Sequence, residues 1–168
     1  MEYLSKENEK RQHRVSFTGH RPWKQAVSEA VIRAAVFDAI NQSINDGYCT
    51  FISGMAQGLD IIAAETVLEF RGHNQNIRLI CALPYPGFEY SWPLVWKERL
   101  SSVLKCADLV RVISPSYSPL SYQIRNEWMV NHSNLVIAFY QGLPGGTKNT
   151  IDYAQNQGVM VKILDIRE

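Results

Sequence analysis

Short apolar runs alternate with longer amphipathic stretches from residue 14 to residue 164, and this alternation restricts the fold more than any other feature of the chain. Parallel strands cannot be joined by a tight turn. They need a crossover, and a helix of the right length supplies it. The apolar runs predict strands over Arg14–Thr18, Tyr48–Ser53, Ile77–Leu83, Leu109–Ser114, Asn134–Tyr140 and Val159–Leu164. Between them, three- and four-residue spacing predicts helices over residues 28–46, Leu59–Arg71, residues 92–106, residues 121–132 and Thr147–Gln157. The first helix carries Ile32, Val36, Phe37, Ile40 and Ile44 on its stripe, and Asp46-Gly47 ends it. Gly72 and Gly158 read as stops for two of the others. The pattern predicts an α/β fold: an open, mostly parallel sheet with helices on both faces. It occupies residues 14–168 as a single domain, behind a charged, aperiodic flexible arm over residues 1–13.

Bulk properties narrow the function classes. A chain of 168 residues with 46% hydrophobic content can bury one sizeable core. Seventeen basic residues against sixteen acidic ones leave a net charge of +1, which argues against nucleic acid as the main partner. No apolar stretch approaches membrane-spanning length, and the polar first 14 residues do not read as a secretory signal, so a cytoplasmic protein without a membrane partner is expected. Cys49, Cys81 and Cys106 are widely spaced and read as reduced, mostly buried thiols. The four histidines have no ligand spacing, so no metal site is expected.

Glycine-bearing turns follow three of the strands. Thr18-Gly19-His20-Arg21-Pro22 follows the first, and Ser53-Gly54-Met55-Ala56-Gln57-Gly58-Leu59-Asp60 follows the second. Gly142-Leu143-Pro144-Gly145-Gly146-Thr147 follows the fifth. In a parallel sheet all three point to its carboxyl edge, where ligands of open α/β sheets bind. His20 and Arg21 offer donors to a phosphate or carboxylate. Gly145-Gly146-Thr147 opens a helix whose free N–H groups and dipole favour an anion; the same residues also read as a plain cap. Asp60 near a helix start reads either as a cap or as a site acid, and Glu127 has the same two readings. Tyr85 and Phe88 read as base-stacking or as packing residues. Neither G-x-G-x-x-G nor G-x-x-x-x-G-K-[ST] occurs.

Four segments together resemble the YpsA-like, TGHRP-type family of the SLOG superfamily, which is related to DprA/Smf and LOG proteins. They are Thr18–Pro22, Ser53–Asp60, Arg125-Asn126-Glu127-Trp128-Met129-Val130 and Gly145–Ile151. The resemblance implies a Rossmann-like sheet that binds a nucleotide or nucleotide-derived ligand at its carboxyl edge. The balanced charge and the lack of any Ser/His/Asp or Cys/His pairing point to a sensor or binding module for such a ligand, one related to NAD or ADP-ribose. No further cofactor is implied. The ligand-contacting set it implies is Thr18, Gly19, His20, Arg21, Ser53, Gly54, Met55, Gly58, Asp60, Arg125, Asn126, Gly145, Gly146 and Thr147. For LOG relatives it implies N-glycosidic cleavage of a nucleotide, with Asp60, Glu127 and Asp152 as candidate acids. The LOG loop P-G-G-x-G-T-x-x-E differs here: Lys148-Asn149 stand at its Gly-Thr step and Asp152 at its Glu. For DprA relatives it implies single-stranded DNA binding. A homodimer is expected, with Trp92, Trp96 and Trp128 as interface candidates.

Overall fold

The computed structural model describes residues 2–22 and 27–166. In chain order the elements are α1 (Glu2–Arg11), β1 (Arg14–Gly19), α2 (Glu29–Asn45), β2 (Thr50–Ser53), α3 (Leu59–His73) and β3 (Arg78–Leu83). They continue with α4 (Leu94–Cys106), β4 (Leu109–Val112), α5 (Ser121–Asn131), β5 (Leu135–Phe139), α6 (Gly146–Asn156) and β6 (Met160–Ile163). The strands form one six-stranded sheet in the order β4-β3-β2-β1-β5-β6. Every pairing is parallel, so the sheet is fully rather than mostly parallel.

Strand composition follows position in the sheet. β5 is an interior strand between β1 and β6, and all five of its residues, Leu135–Phe139, are buried. β4 lies at an edge, and all four of its residues are exposed. One face carries α2, α3 and α4 over Phe17, Phe51 and Leu79, with the Phe17 and Phe51 rings stacked 6.1 Å apart. On the other face Met129 of α5 packs on Ile52 and Ala82, and Ala154 of α6 packs near Val136. Each of the larger of these side chains contributes about 1.5–3 kcal/mol when taken fully from water.

The order reverses between β1 and β5. From β1 the chain steps outward through β2 and β3 to β4, then crosses back to β5 beside β1. The exits of β1 and β5 are therefore adjacent, which makes this the switch point of the sheet.

Residues 2–13 differ from the aperiodic arm read in the sequence, because Glu2–Arg11 is helical. Its helix-forming Glu and Lys residues carry no apolar stripe, so periodicity had nothing to report. It is tied down by an Arg14–Glu7 ion pair and by Arg11 Nε donating to the Ser133 carbonyl at 2.9 Å. Gly72 does not stop α3, which runs on to His73. The cysteines also depart from expectation: Cys81 is buried, Cys49 is half-buried and Cys106, the last residue of α4, is exposed. Burial, with the charge of Asp108, pushes the Cys81 thiol up to about 12, which keeps it protonated and unreactive. Trp92 is not interface surface, because it is buried against Phe88 with ring centres 5.2 Å apart.

Candidate functional site

The turns after β1, β2 and β5 lie at the carboxyl edge of the sheet, as parallel pairing requires. His20 is buried at the switch point. Its Nε2 accepts the Gln141 main-chain N–H at 3.2 Å, which places the ring proton on Nδ1. Its ring lies against Phe139 and Tyr140. His20 thus joins the end of β1 to the loop before α6.

The β2–α3 turn is wound around its own side chains. Ser53 Oγ donates to the Asp60 carbonyl at 2.8 Å and accepts the Met55 N–H at 3.1 Å. Met55 has φ 56°, the one non-glycine residue with positive φ among the described residues, and its side chain is fully buried. Such a conformation costs of order 1 kcal/mol or more and persists only where its surroundings hold it. Gly58 caps α3 at φ 94°. Ser53 and Met55 have no exposed surface, and Thr18 has little, so these three shape the turns from inside.

Arg125 reaches from α5 into this turn. Its Nη1 donates to the Gly54 carbonyl and, at 3.4 Å, to the Ala82 carbonyl, and its Nε donates to Asn126 Oδ1 at 2.8 Å. Asp60 lies on the same side of Gly54, and its Oδ2 accepts the Ala56 N–H at 3.2 Å. Burial raises the Asp60 carboxyl above its ordinary range, opposed by the Arg125 charge and the Ala56 hydrogen bond. Burial likewise lowers Arg125, opposed by Asp60. A Cβ on Gly19 would fall 2.5 Å from Leu59 Cδ2, so this glycine is required by strand–helix packing.

A cavity of about 490 Å³ opens beside these turns. Arg21 enters it from the β1 exit, Gln57 from the β2–α3 turn, and Tyr85 and Trp96 from the β3–α4 segment. Tyr122 closes it from the first turn of α5. The Arg21 guanidinium lies 5.3 Å from the Tyr122 ring centre and the Arg125 guanidinium 5.8 Å from it. Tyr85 packs edge-on against Tyr117 and Tyr122, and its hydroxyl lies 3.4 Å from that of Tyr122. That contact helps push the Tyr85 phenol up to about 12, so it stays neutral. Tyr85 and Phe88 both line the cavity, Phe88 while almost fully buried against Trp92. Among the described residues, no carboxylate lines this cavity.

The candidate acids are engaged elsewhere. Asp152 pairs with Lys148 one helical turn away. Glu127 accepts Gln123 Nε2 at 2.8 Å. Asp60 sits behind Gly54. The glycine loop before α6 is exposed: Gly145 caps the helix at φ 135° without a side-chain cap, while Thr147 is buried. A Cβ on Gly146 would meet Asn126 Nδ2 at 4.0 Å. Tyr122 in the cavity wall and Asn126 beside Gly146 are four residues apart on α5, so one helix face connects the aromatic cavity to the glycine loop. Sequence reasoning missed Tyr122 and Gln57. Tyr122 had one usable signal, its i, i+3 spacing from Arg125.

The YpsA family model, described as the YspA SLOG family, matches residues 15–165. The chain belongs to this SLOG family. It is 29% identical over 117 residues to an uncharacterised SPbeta prophage-derived protein, YoqJ, of Bacillus subtilis, covering 62% of this chain and 68% of the relative. It is 23% identical over 153 residues to a UPF0398 protein of Bacillus cereus strain G9842, covering 86% of this chain and 83% of that protein. Among solved structures, DNA processing protein A from Helicobacter pylori, described for its single-stranded DNA binding mode, superposes with a TM-score of 0.66 at 18% identity. That superposition covers 97% of this chain and 69% of the other. TM1055, a structural-genomics target, superposes with a TM-score of 0.57 at 14% identity, covering 89% of this chain and 72% of the other. At these identities the likeness is one of fold. Among the described residues of this SLOG chain, no helix is long and apolar enough to cross a membrane. No group of three His, Cys, Asp or Glu side chains among them is placed to hold a metal ion.

Proposed function

We propose that this chain binds a nucleotide-derived ligand, of the NAD or ADP-ribose kind, as a sensor or binding module. The observation that carries this reading is the make-up of the 490 Å³ cavity: aromatic walls, the Arg21 cation, amide and hydroxyl groups, and no lining carboxylate among the described residues. Aromatic faces suit a planar base, and a guanidinium suits a phosphate. A glycosidic hydrolase needs an acid or base within reach of the scissile bond. Asp60, Glu127 and Asp152 are each turned to other partners, which favours binding over hydrolysis. Single-stranded DNA is the second reading. It rests on the fold shared with DNA processing protein A, and the net charge of +1 weighs against it. The deciding experiment is a thermal-shift screen of the full chain against mononucleotides, NAD, ADP-ribose and short single-stranded oligonucleotides. A shift with a nucleotide-derived compound that Arg21→Ala removes supports the first reading. A shift with oligonucleotides alone transfers the assignment to the second.

A further inference from the structure

The two faces of the sheet are unequally covered. α2, α3 and α4 share one face, leaving α5 and α6 for the other. α5 starts beyond the carboxyl end of β4, and its Met129 rests on Ile52 and Ala82, in the carboxyl halves of β2 and β3. Among the described residues, only the C-terminal end of α1, at Lys10, comes near the amino halves of β2, β3 and β4 on that face. Register aligns Arg14, Thr50 and Arg78 in one row and sets Ile80 beside Leu109. Alternate residues of a strand share a face, so Thr50 lies with Ile52, and Arg78 and Ile80 lie with Ala82. The whole row belongs to the α5 face.

A cavity of about 340 Å³ opens over this row, at the edge of the sheet opposite the candidate site. Thr50, Ile80 and Leu109 form its floor, and Lys10, Arg14 and Arg78 stand around it together with the Asp108 carboxylate. Water's share of liquid volume is about 30 Å³, so the space equals about ten waters, enough for a molecule of one or two rings. The surrounding charge is unevenly answered. Glu7 pairs with Arg14. Asp108 serves both Arg71, at 2.8 Å, and Arg78, at 3.2 Å, while also accepting the Leu79 N–H at 2.8 Å. Burial works to raise the Asp108 carboxyl, but the Leu79 hydrogen bond and the two arginines hold it below its ordinary range, so its charge is already committed. Lys10 has no carboxylate partner among the described residues. An apolar floor under a rim with surplus positive charge selects a ligand with an apolar body and an anionic head.

We propose that this cavity is a second ligand site, for a small aryl phosphate or aryl carboxylate. It is independent of the carboxyl-edge site. The test uses the full chain, titrated with 1-naphthyl phosphate and with neutral 1-naphthol, followed through main-chain amide NMR shifts. The phosphate saturates with shifts at Thr50, Ile80 and Leu109, and the naphthol binds about tenfold more weakly or less, the scale of one charge-assisted hydrogen bond. Lys10→Glu, a surface change, weakens the phosphate by about the same factor. Ile80→Trp fills the floor and blocks binding, while Arg21→Ala leaves it unchanged. Shifts confined to Arg21 and Tyr122, no saturable binding, or equal affinity in wild type and Lys10→Glu each overturn the proposal.

Discussion

The guanidinium of Arg125 occupies the space that a side chain on Gly54 would fill: a Cβ there would lie 2.5 Å from Arg125 Nη1 and 2.9 Å from Asp60 Oδ2. Gly54 is therefore a seat for a buried cation, and the bond from Arg125 to its carbonyl ties α5 to the β2–α3 turn. Gly54→Ala is expected to displace Arg125 and to destabilise the fold by about 1–3 kcal/mol, the usual cost of overpacking. In an Arg125→Met background the same change costs less, because the two residues compete for one space. Chemical denaturation of the two single variants and the double variant checks this. Additive losses would mean that the contact is not shared.

Arg21 and Gly146 test the ligand reading from two sides. Arg21→Ala is expected to weaken the best nucleotide-derived ligand by roughly 1.5–3 kcal/mol, the range for a hydrogen bond to a charged group. Gly146→Val places a side chain where only Asn126 Nδ2, at 4.0 Å, comes near, so the fold survives while the approach of an anion to the α6 N-terminus is obstructed. Calorimetric titration reads both affinities, and circular dichroism checks the fold. Unchanged affinity in both variants would assign these turns a structural role alone.

His20 accepts the Gln141 N–H, and this bond holds the β5–α6 loop to the β1 exit. His20→Ala is expected to cost about 1 kcal/mol for the lost hydrogen bond. It also speeds hydrogen exchange at Gln141 without affecting the amides of β3. Unaltered exchange at Gln141 would show that the loop is held by other contacts.

Glu65 bridges α3 to α2 and α4 through Arg33 at 2.6 Å and Arg99 at 2.7 Å. Burial acts to raise its carboxyl, but hydrogen bonds and charges from Arg99 and Arg33 outweigh it and lower the group below its ordinary range. The folded state then holds fewer protons than the unfolded state as pH falls through the ordinary glutamate range near ~4.3. The stabilisation is complete above that range and is lost below it. Glu65→Gln should cost about 1 kcal/mol at neutral pH and flatten the acid limb of the stability profile. Parallel acid limbs for wild type and variant in urea titrations would contradict this.

The order of strands and helices was legible in the sequence because burial writes itself into periodicity. An interior strand covered on both faces, such as Leu135–Phe139, must be apolar throughout, and α2 carries Ile32, Val36 and Ile40 on the side that faces the core. The edge strand Leu109–Val112 was legible too, although its apolar residues are exposed: periodicity finds strands, not their neighbours. Helix α1 escaped because its charged residues have no buried face to mark. The glycine turns were legible as turns, and parallel pairing alone sends them to one edge. What only the tertiary structure decided is which side chains meet there. Tyr122, Gln57 and Trp96 come from three separate crossovers and meet around Arg21. Gly54, which read as a ligand contact, lies under Arg125, seventy-one positions away in the chain. Local pattern is set by neighbours a few residues apart, whereas a cavity is set by the packing of segments that no local pattern connects.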